Sequence, residues 1–141
     1  MNKSQSRFNT FKRSLGITTK TIGKSKKTEI NFVSHNPGID GNIVTLKEPP
    51  QDLSKKNILK VRGEADSLAT HLRYHNSAIH NKYIKNDKIS GKIYDLLEKS
   101  RCEALGSNSL KGLLKNVKNK IENQFYKYQN NKIENDKINI E

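Results

Sequence analysis

The stretch Ser54-Lys55-Lys56-Asn57-Ile58-Leu59-Lys60-Val61-Arg62-Gly63-Glu64-Ala65-Asp66-Ser67-Leu68-Ala69-Thr70-His71-Leu72-Arg73-Tyr74-His75 decides the fold. Within and just beyond it, Ile58, Val61, Ala65, Leu68, Leu72, His75 and Ile79 follow one another at alternating steps of three and four. That spacing puts them on one stripe of a helix. Ser54 offers a side-chain oxygen to the first free amides, the usual job of an N-cap. Gly63 inside the pattern costs about 1 kcal/mol relative to alanine, so it marks a close approach by another element. The helix pauses near Asn76-Ser77 and resumes through Ile79 and Tyr83.

Upstream, Pro49-Pro50 closes whatever precedes the helix, because neither proline can donate a ladder hydrogen bond. Before it, Ile30 and Phe32 alternate with polar neighbours across 28–34, as in a half-buried strand. His35-Asn36-Pro37-Gly38-Ile39-Asp40-Gly41-Asn42 supplies turn residues, and a second strand over 42–46 closes a short hairpin. At the start of the chain, Phe8, Phe11, Leu15 and Ile22 recur at helical intervals. Downstream, a helix from Lys88 to Leu105 is expected to bury Ile89, Ile93, Leu96, Leu97 and Ala104. Its outer face would pair Asp95 with Lys99, and Gly106 would stand just past its end. A further helix from Asn108 or Ser109 carries Leu110, Leu113, Leu114, Val117, Ile121 and Phe125. Beyond Tyr128 the chain turns polar and is expected to fray or to extend without packing. The resulting architecture is mainly α, a small helical domain of about four helices with a short β-hairpin insert. Its parts are a basic N-terminal helix (1–27), the hairpin and Pro-rich exit (28–50), a helical core (51–128) and a polar tail (129–141).

Composition narrows the function classes. The chain has 141 residues, 27 Lys+Arg against 14 Asp+Glu, a net charge of +13 and one cysteine. A lone Cys102 rules out a disulfide within the chain and suits a reducing compartment. No apolar run approaches the roughly 20 residues of a membrane span, and the start lacks the apolar segment of a secretory signal. A cytoplasmic protein with no membrane partner is expected. Residues 1–60 hold 12 basic and 4 acidic groups, and residues 61–141 hold 15 and 10. The basic opening has no acid before Glu29, which superficially fits an organellar leader, yet it reads equally well as an amphipathic helix of the fold. Asn, Lys and Ile are so abundant that much of the charge is compositional.

Several chemical motifs fall short of their requirements. Thr18 to Ser25 ends in the Gly-Lys-Ser of a phosphate-binding loop, but Thr18 replaces the needed glycine and a helix precedes where a strand should. His71 and His75 stand at i,i+4 with His80 close behind, near enough for two metal ligands. No glutamate of a zinc-peptidase motif and no cysteine pair accompany them, so a hydrogen-bonded packing role for His75 is the reading adopted. Arg101 beside Cys102 would lower the thiol's pKa, but no base can be nominated for it. Glu64, Asp66 and Glu103 give no acid/base pair by spacing. Lys111, Lys115 and Lys118 share a helical face near Phe125, Tyr126 and Tyr128, a charge and stacking set that a nucleic-acid binder would use. No recognised nucleic-acid motif accompanies it.

A more specific signal lies in Val61-Arg62-Gly63-Glu64-Ala65-Asp66-Ser67-Leu68-Ala69-Thr70-His71-Leu72-Arg73-Tyr74-His75-Asn76 with His80. It resembles the N-terminal region of the T subunit of aerobic cobaltochelatase, the CobT family, with its Arg-Gly-x-x-Asp-x-x-Ala helix and following histidines. Phe11-Lys12-Arg13, Phe32, Pro37-Gly38-Ile39, Gly41 and Leu46 to Pro50 resemble the family's preceding segments. Ile93 to Gly106 resembles its Glu-x-x-Arg-x-Glu-Ala-x-Gly segment, and Gly112 and Asn116 its Gly-x-x-x-Asn step. His71 and Asn76 differ from the commoner family residues.

The resemblance implies a subunit of an ATP-dependent machine that inserts cobalt into a corrin precursor in cobalamin biosynthesis. Its partners would be an AAA+ S subunit and a large N subunit. ATP, magnesium and cobalt would be used by the complex and none bound by this chain. It also implies a partner-binding or fold-determining role for Arg62, Gly63, Asp66, His75, His80, Arg101 and Glu103, with no catalytic or metal-binding residue. A full T subunit continues through an acidic linker into a von Willebrand A domain, neither of which is present, so an N-terminal module alone is expected. A small basic nucleic-acid-binding protein and an inactive truncated remnant are the alternative readings.

Overall fold

The computed structural model describes residues 3–85 and 87–138, with side chains described as far as residue 131. Among the described residues the elements run α1 (Lys3–Gly23), β1 (Glu29–Val33), β2 (Gly38–Asp40), β3 (Ile43–Lys47), α2 (Lys55–Tyr74), α3 (Ser77–Tyr83), α4 (Lys88–Ser109) and α5 (Lys111–Ile138). The architecture is mainly α with a short β insert, as the periodicity indicates. The pause after α2 makes α3 a helix in its own right, with Asn76 Oδ1 accepting the Ile79 amide at 3.1 Å. Asn86, between α3 and α4, lies outside the described residues, as do 139–141 of the expected polar tail. Within that tail α5 continues to Ile138.

Helix α2 is the axis of the molecule and packs against α1, α4, α5, β2 and β3. Its N-terminus is capped by Ser54, whose Oγ accepts the Asn57 amide. Leu15 of α1, Val44 and Leu46 of β3, and Val61 and Ala65 of α2 form the buried apolar core, flanked by Phe11, Ile30, Phe32, Ile39, Leu68 and Leu72. Helix α1 ends at the Gly23-Lys24-Ser25 sequence. Lys24 takes a left-handed backbone (φ 51°), while the Lys24 and Ser25 amides donate to the Thr21 and Lys20 carbonyls. This is a Schellman closure; those amides are engaged by the helix that precedes them, so they form no phosphate cradle.

The sheet differs from the expected hairpin in its pairing. Its order is β1-β3-β2, with β1 parallel to β3 (Ile30 opposite Val44) and β2 antiparallel to β3 (Ile39 opposite Val44). The reason is local. Gly41 and Asn42 make a two-residue connection, with Gly41 at φ 53°, the kind of loop that folds a strand back on its immediate predecessor. The turn segment therefore supplies the hairpin partner, and β1 is left the other edge.

Helix α4 is the larger departure. Ile89, Ile93, Leu96 and Leu97, expected in the core, are 71%, 53%, 63% and 63% exposed, and Ala104 is exposed as well. The face turned inward carries Gly91, Cys102, Glu103 and Gly106. Gly106 is inside the helix, and a Cβ there would overlap the buried Thr70 methyl, so this face alone permits the close α2–α4 approach. The helix stops instead at Leu110, whose extended backbone (φ −138°, ψ 108°) separates α4 from α5.

Candidate functional site

Two polar clusters flank α2, and Ser67 links them. The first is a cleft of about 320 Å³ between the C-terminal half of α2, α3 and α4, lined among others by Ser67, His71, His75, His80, Asp95 and Glu98. The imidazoles of His71 and His75 stack at 4.1 Å, and His80 meets His75 edge-on at 4.9 Å. Each of the latter two is held by a carboxylate: His75 Nδ1 lies 2.9 Å from Glu98 Oε1, and His80 Nε2 lies 2.9 Å from Asp95 Oδ1. Asp95 thus serves His80 and not Lys99. Arg101 clamps Glu98 through Nε at 2.7 Å and Nη2 at 2.8 Å, and also donates to the Tyr74 carbonyl at the end of α2.

The electrostatics follow from these contacts. Hydrogen bonds from Arg101 above all, and from His75, draw the Glu98 carboxyl down to about 2 against the opposing effect of burial. Burial, reinforced by the neighbouring His75, lowers the His71 pKa and favours its neutral form. Arg101 does not activate Cys102: burial, with help from Glu98, pushes the thiol up to about 11, so it is a buried, protonated packing group at neutral pH. Among the described residues no trio of His, Cys, Asp or Glu is arranged to hold a metal ion. The His80 Nδ1 atom is buried without a hydrogen-bond partner.

The second cluster is a buried polar seam where α2 meets α4 and α5. Lys120 Nζ reaches both Glu103 Oε1 and, at 2.9 Å, Ser67 Oγ, while Ser67 donates to the same Glu103 oxygen. Lys120 and Glu103 are 6% and 7% exposed, so this is an ion pair almost wholly removed from water. One turn away, Asn116 Nδ2 donates to Asp66 Oδ2 at 2.7 Å. Gly63 allows this approach, since a Cβ on it would stand 2.7 Å from the Asn116 carbonyl oxygen.

The structure thus brings Gly63, Asp66 and Glu103 into one seam, and His75, His80 and Arg101 into one cleft. Arg62 is exposed; Asp66, four residues on, is engaged by Asn116, and Arg62 acts on it through its charge. Ser67 and Lys120 escaped the sequence reading. The signal for Lys120 was present, because it follows Leu113, Asn116 and Val117 at helical spacing on the buried side of α5.

Two carboxylates give opposite pH signatures. Burial raises the Asp66 pKa above its ordinary 3.8. A raised native value means that its contribution to stability is full below the unfolded pKa and is lost as pH rises through the native one. Asp66→Asn keeps an acceptor for Asn116 and is expected to remove that loss, leaving the protein at least as stable as the parent at neutral pH. Glu98 has the reverse sign: its contribution is full above 4.5 and is lost as pH falls toward about 2. Glu98→Gln is therefore expected to flatten the acid limb of a stability–pH curve. Urea titrations from about pH 2 to neutral check both, Glu98 on the acid side and Asp66 as pH rises above 3.8; a parallel slope for parent and variant would contradict the assignment.

A family model described as "Cobalamin biosynthesis protein CobT" matches residues 5–139. No solved structure matches the chain.

Proposed function

The chain belongs to the CobT family of cobalamin biosynthesis proteins, and from that premise we propose that it is a T-subunit component of an ATP-dependent cobaltochelatase. In this reading it corresponds to the N-terminal module of the subunit and works in the cytoplasm as a binding component, engaging the AAA+ S subunit and the large N subunit. ATP and magnesium belong to the S subunit's chemistry, and cobalt and the corrin precursor to the N subunit's. The observation that carries the proposal is the family match over nearly the whole chain. The polar groups of α2, α4 and α5 support a non-catalytic role, because Asp66, Ser67, Glu98, Glu103 and Lys120 are engaged with one another or with Asn116, His75 and Arg101. A side chain held in that way orders the helices against one another.

The test is co-purification of this chain with the S and N subunits at physiological salt. Stable co-elution with either is the expected result. The exposed lysines of α5 with Phe125, Tyr126 and Tyr128 supply the competing outcome. Failure to bind either subunit, with tight salt-sensitive binding to DNA or RNA, would make a nucleic-acid protein the better reading.

A further inference from the structure

Helix α4 leaves outward an apolar face that the described residues do not cover. Its polar and small face is turned inward, and its apolar residues Ile89, Ile93, Leu96 and Leu97 stand outward at intervals of four, three and one. Ser100 and Ala104 continue the stripe for another two turns. From Ile89 to Ala104 the stripe is about 22 Å long at 1.5 Å per residue. That matches four turns of a partner helix laid along it, anchored as helices in apolar grooves are, at i, i+3, i+4 and i+7. The small residues at its C-terminal end permit close helix approach.

The charge around the stripe selects the occupant. The acids of α4 are already engaged inside the molecule: Asp95 with His80, Glu98 with His75 and Arg101, and Glu103 with Lys120. The lysines of the same helix, Lys88, Lys92 and Lys99, are exposed and have no ion-pair partner among the described residues. The apolar stripe is therefore flanked along one edge by unneutralised positive charge. A second copy would bring the same lysines and another +13 to the contact, which like-charge repulsion disfavours. A membrane-surface helix needs a strongly charged, Lys/Arg-rich face opposite its apolar one, and on α4 that opposite face is packed inward and carries Gly91, Cys102, Glu103 and Gly106.

We propose that the outward face of α4 is a docking site for an acidic amphipathic helix of another protein, with aliphatic residues meeting Ile89, Ile93, Leu96 and Leu97 and carboxylates meeting Lys88, Lys92 and Lys99. The proposal does not rest on the chelatase reading, since it concerns the chemistry of the surface and not the identity of the subunit.

The probe is a labelled synthetic helix of about two heptads, the length of the stripe, with Leu at a and d and Glu at e and g, compared with the same peptide carrying Lys at e and g. Anisotropy at physiological salt is expected to show binding of the Glu peptide only. Ile93→Ser with Leu97→Ser is expected to weaken it by about tenfold or more. Lys88→Glu with Lys92→Glu is expected to shift preference toward the Lys peptide. All four positions are exposed, and unchanged circular dichroism and melting will confirm intact folds. No preference for the Glu peptide, or binding indifferent to the serine pair, would overturn the proposal. So would a dimer in sedimentation that the serine pair dissociates, or stripe-dependent binding to phosphatidylserine vesicles, which would assign the face to a second copy or to a membrane. Because the S and N subunits are absent from this experiment, its failure leaves the co-purification result standing, and the reverse.

Discussion

Lys120→Met is expected to destabilise the fold by about 3–5 kcal/mol, the range for removing one partner of a buried ion pair. Lys120 neutralises Glu103 and also donates to Ser67, and both charged groups are nearly closed off from water. Burial lowers the Lys120 pKa, while Glu103 opposes that effect, so the ammonium is held in the interior by its carboxylate. Without it, a carboxylate remains among α2, α4 and α5 with only a hydroxyl for company. Domains of this class have about 5–15 kcal/mol in all, so the loss corresponds to a fall in melting temperature of about 10 °C or more. The double variant Lys120→Met/Glu103→Met is expected to recover most of it, because apolar replacement of both partners removes the uncompensated charge. Urea denaturation of the two variants measures this. A double variant as unstable as the single would show that the seam is held by the packing of the lysine stem and not by charge.

Gly63→Ala is the second large effect. The added methyl would lie 2.7 Å from the Asn116 carbonyl oxygen and 2.9 Å from Lys120 Cβ. The first of these is backbone, so α5 must shift along with the two side chains that bond Asp66, Ser67 and Glu103. Overpacking of this kind costs about 1–3 kcal/mol, and it is expected to outweigh the gain of about 1 kcal/mol that alanine brings to a helix interior. Gly112→Ala is the control. It lies on α5 with no atom within 4 Å of its added methyl, so there the same exchange is expected to be neutral or stabilising in a thermal melt.

Much of this molecule can be read from local pattern. The three-four spacing from Ile58 to Leu72 gives α2, and Asn76 caps α3 because its side chain satisfies an amide three residues on. Alternation of Ile30 and Phe32 gives a strand. The candidate residues were partly legible too: Gly63 stood out as an interior glycine in a strong helix, and His75 as a polar residue on an apolar stripe. The i,i+4 spacing of Arg62 and Asp66 permits a pair without requiring one, and Asn116, fifty residues on, took the carboxylate.

Capping, turn geometry and periodicity act over a few residues, so local pattern places the helices and the strands β1 and β3, but not β2. Tertiary structure alone decided which face of α4 turns inward. Periodicity marks Ile89, Ile93, Leu96 and Leu97 as one face but carries no information about what stands opposite. The inward direction was fixed by Thr70, whose methyl needs the space at Gly106, and by Lys120 and His75, which need Glu103 and Glu98. With α4 turned the other way, Lys120 would be a buried ammonium without its carboxylate and Thr70 would lose the space at Gly106, and so the apolar stripe faces out.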